Sequence, residues 1–220
     1  MQRLRIRYSK LDRARFASHR DFGRAFERAL RRAGVPMAYS SGFSPHPRIS
    51  YANAAPTGAA THAEYLEIGL AQRCDPAAVK AALNEAMPSG MRIEEVVEGG
   101  GSSLADRLTG SVWVLAIEAD PDVVAEASAA LLECESALVS RMTKAGLREF
   151  DVRAAIVSLR LDEGRLRLVS KHSTPLVRPD DVFGALQRCD PRLADVPTPL
   201  YTRLRQGFLA DGEVGDPLRG

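Results

Sequence analysis

Polar and apolar residues alternate one by one at the start of the chain, where Arg3, Arg5 and Arg7 interleave with Leu4, Ile6 and Tyr8. A period of two predicts a strand with one buried face and one charged face. The period then lengthens: Phe22, Ala25, Phe26, Ala29, Leu30 and Ala33 recur at i, i+3, i+4, the stripe of an amphipathic helix. Ser18-His19-Arg20-Asp21 supplies a capping box at its start, and Gly34 with Pro36 supplies its end. Residues 37–40 and 49–53 read as short strands around a Pro-rich loop. Residues 64–70 read as a longer strand with Leu66, Ile68 and Leu70 on one face. Asp75-Pro76 opens a second helix carrying Val79, Ala82, Leu83 and Ala86, and residues 91–97 close the half as a strand.

The remainder repeats the rhythm more loosely. Residues 112–118 form a strand that is apolar on both faces, so its outer face is expected to be covered. A helix runs from Pro121 to about residue 134, and strands follow at 152–161 and 165–171, joined by Asp162-Glu163-Gly164. A helix from Pro179 and a strand at 201–208 complete it, with a further short strand near 138–143. Both halves read β-α-β-β-α-β. The predicted class is therefore α+β: two tandem ferredoxin-like units, each an antiparallel sheet with helices on one face. The expected boundaries are a basic N-terminal unit at 1–98, a Gly/Ser linker at 99–110 and a second unit at 111–208. Residues 209–220 are expected to be a flexible tail.

Composition narrows the class of protein. The 220 residues are 45 % hydrophobic and 26 % charged, as in ordinary globular proteins. No apolar run approaches the roughly 20 residues needed to cross a bilayer, and the first residues lack the apolar core of a signal peptide. A cytoplasmic protein without membrane contact is expected. Cys74, Cys134 and Cys189 are scattered, which predicts plain thiols and no zinc knuckle or local iron–sulfur ligation. Four separated histidines without acidic neighbours at ligand spacing predict no metal site. Phosphate-loop, dinucleotide-binding and nucleophile-elbow motifs are absent from the sequence, so no cofactor is predicted.

Charge is distributed unevenly. Residues 1–50 carry twelve Lys/Arg against three acids, a net +9, which leaves −7 for the rest of a chain whose total is +2. Eleven of those twelve are arginines, whose planar fork suits phosphates and bases. Strand alternation puts Arg3, Arg5 and Arg7 on the sheet face away from the helices, the surface on which RNA modules of similar shape hold single strands. Arg20, Arg24, Arg28 and Arg31 run along the polar side of the first helix. With Arg48, Phe43 and Tyr51 they make the candidate nucleic-acid-binding set. The same arginines also fit a bland role, solvated on the helix or neutralised by Glu64 and Glu67.

In the loop, Pro45 and Pro47 stiffen the backbone around His46. His46 is a candidate acid or base, as are His19 and Asp21 at the helix start. If the loop folds back to that helix end, His19 and His46 share a site. The structural alternative makes His46 a turn residue and His19 a capping or packing residue.

The runs from Phe16 to Asp21, Phe26 to Gly34 and Tyr39 to Ser50, with Glu64-Tyr65-Leu66-Glu67-Ile68, resemble a radical-SAM-associated bacterial family of unknown function. That domain occurs alone or attached to the C-terminal side of radical SAM proteins. The likeness is specific through residue 70 and looser to about residue 205. It implies association with a radical SAM protein and transfers no catalytic residues. The cluster-binding cysteine motif is missing, so the chain resembles the stand-alone form. His19, Asp21, Gly42, Phe43, His46, Pro47 and Arg48 match the recurring motif. Three functions follow as expectations. The first is an RNA-contacting accessory protein serving a separate modifying enzyme. The second is a metal-independent RNA-processing or RNA-modifying enzyme using His46 or His19. The third is an adaptor for an acidic protein partner.

Overall fold

Alternation in the first strand decides which face of the first sheet is buried. In the computed structural model, which describes residues 1–143 and 146–219, strand β1 (Gln2–Lys10) turns Leu4, Ile6 and Tyr8 into the core. Helix α1 (His19–Arg32) covers them with Phe22, Phe26 and Leu30. Tyr8 and Phe22 stack with ring centroids 4.1 Å apart, and Phe22 continues the stack to Phe26 at 5.7 Å. The capping box forms: the Ser18 hydroxyl accepts from the Asp21 amide at 3.2 Å, and the Asp21 carboxylate accepts from the Ser18 amide at 3.3 Å. The next elements are β2 (Ile49–Ala52), β3 (Ala60–Leu70), α2 (Pro76–Ala86) and β4 (Met91–Glu98). Leu66, Ile68 and Leu70 of β3, Ile93 of β4, and Val79 and Leu83 of α2 complete the core. The sheet order is β4-β1-β3-β2, every neighbouring pair antiparallel.

This first unit comprises Met1–Leu108 with Asp216–Gly220; the second is Thr109–Gly215. The second holds β5 (Gly110–Ala116), α3 (Pro121–Glu133), β6 (Leu138–Thr143), β7 (Gly146–Asp151), β8 (Ile156–Asp162), β9 (Arg165–Lys171), α4 (Pro179–Cys189) and β10 (Leu200–Gly207), then a small hairpin of β11 (Leu209–Ala210) and β12 (Glu213–Val214). Its sheet order is β10-β5-β9-β8, again antiparallel. With the β6–β7 hairpin set aside as an insertion, both units share one order of elements and one order of strands. The class is α+β, with antiparallel sheets and four α-helices. No helix among the described residues is long and apolar enough to cross a membrane.

Several expectations change. Residues 37–40 form only isolated bridges, Met37 to Leu70 and Tyr39 to Pro47. The strand expected at 152–161 begins at Ile156. Before it, the Asp151 carboxylate accepts from the amides of Ala137 and Arg153 and turns the chain. In both units the second face of the sheet is partly covered. In the first unit, residues 99–108 lie over it: the Gly99 amide donates to the Arg3 carbonyl at 2.8 Å. Leu104 and Leu108 are buried with Ala52, Ala63 and Tyr65, and Leu218 packs on the same cluster. In the second, Val112 and Val169 are covered by Val214 and Leu209 of the last hairpin. Residues expected as linker and tail thus bury the apolar positions that alternation turns away from the helices.

Candidate functional site

The arginines of the first fifty residues separate into two sets. Those on β1 face away from the core as expected but find carboxylates directly across the strands. Arg5 lies opposite Glu67 and Arg7 opposite Glu95, the positions at which opposite charges interact most closely. Arg5 is 2 % exposed; its guanidinium donates to Glu67 at 3.1 Å and to the Ser102 carbonyl. Arg7 pairs with Glu95 at 3.1 Å, and Arg3 reaches Glu67 at 3.4 Å. Glu64 does not share that face; it is buried and accepts from the Ala55 amide. The expectation of an open arginine face is therefore narrowed: Arg5 is sealed beneath residues 99–108, while Arg3 and Arg7 stay partly exposed and the three share two carboxylates, Glu67 and Glu95.

Helix α1 keeps its set in solvent. Arg20, Arg24, Arg28 and Arg31 are exposed, and at 100° per residue they occupy one stripe opposite Phe22 and Phe26, with rungs about 6 Å apart. Among the described residues none of them forms an ion pair within 4 Å. Two acids lie beside the stripe: Glu27, which makes no ion pair within 4 Å among the described residues, and Asp21, which is occupied by the cap. The Ser18 hydrogen bond holds its carboxyl below the ordinary value, with Arg24 and Arg20 adding to the effect.

The loop after α1 is closed by its own backbone. The Arg48 amide donates to the Ala38 carbonyl and the Ser40 amide to the His46 carbonyl, at 2.8 and 2.9 Å. Arg48 Nε donates to the Tyr39 carbonyl at 3.3 Å, so this arginine fastens the loop. Gly42 takes φ +121°, a conformation that side chains disfavour. Phe43, next to it at the tip, is entirely exposed. His46 Nδ1 lies 3.2 Å from the Ser44 carbonyl and 3.2 Å from the Ser40 hydroxyl. A carbonyl only accepts, so the contact with Ser44 calls for a proton on Nδ1.

Between this loop and the C-terminal half of α1 is a cleft of about 350 Å³. Leu30, Val35 and Met37 give it apolar surface, Pro45 and Pro47 stiffen one wall, and Glu27, Arg31, Tyr39 and His46 supply polar groups. His19 is elsewhere. Its ring meets Tyr51 edge-on, centroids 4.6 Å apart, at the opposite end of the helix, roughly 18 Å from Arg31 by helical rise. The two histidines do not share a site. Tyr51 is half-buried; its hydroxyl finds no hydrogen-bond partner among the described residues and sits 3.4 Å from where a Cβ on Gly23 would be. Burial, reinforced by the charge of Glu27, pushes the Tyr51 phenol up to about 12.

Sequence reasoning missed the cleft, because Glu27 and Met37 look like ordinary helix and strand residues. The only signal was Glu27 lying four residues before Arg31 and close to a Pro-rich loop. It also missed two pairs in the second unit. The Ser111 hydroxyl and His172 Nε2 are 2.8 Å apart, with Ser111 fully buried. Cys134 and Cys189 end α3 and α4, and burial followed by the neighbouring Cys134 raises the Cys189 thiol. Among the described residues no group of three or more His, Cys, Asp or Glu could hold a metal ion.

A protein-family model described as an uncharacterized protein conserved in bacteria, DUF2344, matches residues 3–179. The chain belongs to that family. The matched span contains α1, the His46 loop and the whole cleft. The comparison with curated proteins gives no match. Among solved structures, an unknown protein from Galdieria sulphuraria is 16 % identical, covering 90 % of this chain and 98 % of that one at TM-score 0.29. The first two RRM domains of the yeast poly(U) binding protein Pub1 are 12 % identical, covering 91 % and 98 % at TM-score 0.24.

Proposed function

We propose that this DUF2344 protein is a non-catalytic cytoplasmic accessory module of two ferredoxin-like units that holds RNA along the arginine stripe of α1. One observation carries the reading. The β1 arginines are all paired with acids, whereas Arg20, Arg24, Arg28 and Arg31 stand exposed with no ion pair among the described residues. Arg20, Arg24 and Arg28, unpaired at a repeat of about 6 Å, suit successive phosphates of a single strand. The exposed Phe43 ring offers a stacking platform. A separate modifying enzyme, in keeping with the motif resemblance a radical SAM protein, would act on what is held. Because His46 and His19 lie at different ends of α1, the acid–base alternative would have to use one histidine without the other.

The test is fluorescence anisotropy with labelled single-stranded RNA across a potassium chloride series. The wild type is expected to weaken steeply with salt. The Arg20→Gln/Arg24→Gln/Arg28→Gln variant should flatten the log–log slope by about 2, from roughly 0.7 per phosphate contact. Salt-insensitive binding, or a variant that binds like the wild type, overturns the proposal. An acidic protein recovered in pull-downs after nuclease treatment would favour the adaptor reading instead.

A further inference from the structure

The cleft beside α1 combines features that a phosphate-gripping stripe does not need. Its volume of about 350 Å³ falls at the small end of ligand pockets, roughly 300–1,000 Å³. Apolar surface from Leu30, Val35 and Met37 faces polar groups of opposite hydrogen-bonding sense. Glu27 presents a carboxylate that only accepts; Arg31, one turn further on, presents a fork that only donates. Glu followed four residues later by a basic residue ordinarily closes into an ion pair on a helix. No such pair within 4 Å is present among the described residues, so both groups keep their capacity for a ligand. Tyr39 is 53 % exposed and offers an aromatic face. His46 adds a ring nitrogen, Nε2, that no hydrogen bond among the described residues engages, since its contacts with Ser44 and Ser40 use Nδ1.

We infer that this cleft binds a guanine base. Guanine places two donors, N1–H and N2–H, side by side for a carboxylate, and two acceptors, O6 and N7, for an arginine fork. Adenine, cytosine and uracil lack that adjacent pair of donors. Glu27 takes the donor edge, Arg31 takes O6 and N7, and the ring lies between Tyr39 and the apolar wall. The inference rests on the RNA reading for its source of the base, although a free guanine nucleotide carries the same chemistry. The cleft lies along the same helix as the arginine stripe, so a strand held there can turn one base into it.

The experiment measures affinity at fixed low salt for labelled UUGUU, UUAUU, UUCUU and UUUUU. It also follows the His46 ring resonances by NMR during titration with GMP. The expected result is a preference of about tenfold for UUGUU, within what one good bidentate contact gives. Glu27→Gln should reduce it to about twofold without lowering UUUUU affinity, since the change removes a negative charge beside Arg24 and Arg31. Equal affinities for all four pentamers in the wild type overturn the guanine site and leave the α1 reading intact. Binding of no pentamer, with GMP still shifting His46, supports the site for a free nucleotide and removes the RNA reading. No response to either ligand overturns both.

Discussion

Replacing Arg5 by Met separates a structural arginine from a ligand-binding one. Arg5 is 2 % exposed, and its partners are Glu67, with a side chain 16 % exposed, and the Ser102 carbonyl. Methionine keeps most of the apolar stem but removes every donor. Breaking a buried pair from one side typically costs about 3–5 kcal/mol because the remaining charge loses its partner. Here Arg3 still reaches Glu67 at 3.4 Å and the carboxylate is partly wetted, so we expect about 2–3 kcal/mol. At about 2–4 °C per kcal/mol for a chain of this size, melting falls by roughly 5–10 °C. The assay is urea unfolding followed by circular dichroism, with hydrogen exchange of the β1 and β3 amides, because the lone tryptophan, Trp113, lies in the second unit. Exchange should quicken in β1 and β3 while RNA affinity of the folded protein stays unchanged. A variant with wild-type stability but weakened RNA binding would refute this reasoning and return the sheet face to the role of ligand surface.

Further expectations concern the cap, the buried phenol and a close approach. Ser18→Ala should cost about 1 kcal/mol of stability in urea melts, the usual value of an N-cap. Asp21 has a depressed folded value, so its contribution is complete above the ordinary value of 3.8 and is lost as pH falls through the lower folded one. The Ser18→Ala protein should show a weaker acid-range dependence, because the backbone amide of residue 18, Arg24 and Arg20 still act on Asp21. Tyr51→Phe should be neutral or stabilising by about 0.5–1 kcal/mol, because the buried hydroxyl it removes has no partner. In ultraviolet titration the Tyr51 phenol should ionise near 12 rather than 10.0. Because the fold favours its neutral form, the group leaves stability untouched below pH 10.0 and lowers it as pH rises from there through about 12, a loss that Tyr51→Phe should abolish. Gly110→Ala should destabilise by about 1–3 kcal/mol, since an added Cβ lies 2.9 Å from Leu209 Cβ and 3.1 Å from the Ser170 carbonyl. A melt indistinguishable from wild type would remove that packing account.

What could be read from the sequence followed from local physics. α1 was legible because a capping box, a 3.6-residue stripe and a terminal glycine agree. β9 was legible because the turn before it, Asp162-Glu163-Gly164, ends in a glycine, which takes the positive φ the hairpin needs. The fate of Arg5 and Arg7 was not legible. Alternation assigns a face, but which carboxylate stands opposite depends on register with β3 and β4, fixed by residues some 60 and 90 positions away. The segment after residue 98 looked like a linker because its glycines dominate its composition. Leu104 and Leu108, four residues apart, were the faint sign that it packs down. The cleft at His46 depends on the direction in which a loop folds. Proline stiffness predicts a shape for such a loop but not which end of the helix it meets.

The return of the last residues to the first unit bears on how the chain matures. Leu218 packs with Leu104 and Leu108, the Pro217 carbonyl accepts from Arg107 at 3.2 Å, and Arg219 reaches Glu95 at 3.6 Å. A ribosome releases the amino-terminal half long before these partners are made. That half must therefore wait, one apolar patch uncovered, until residues 216–219 have been made, and these residues act as its closing latch.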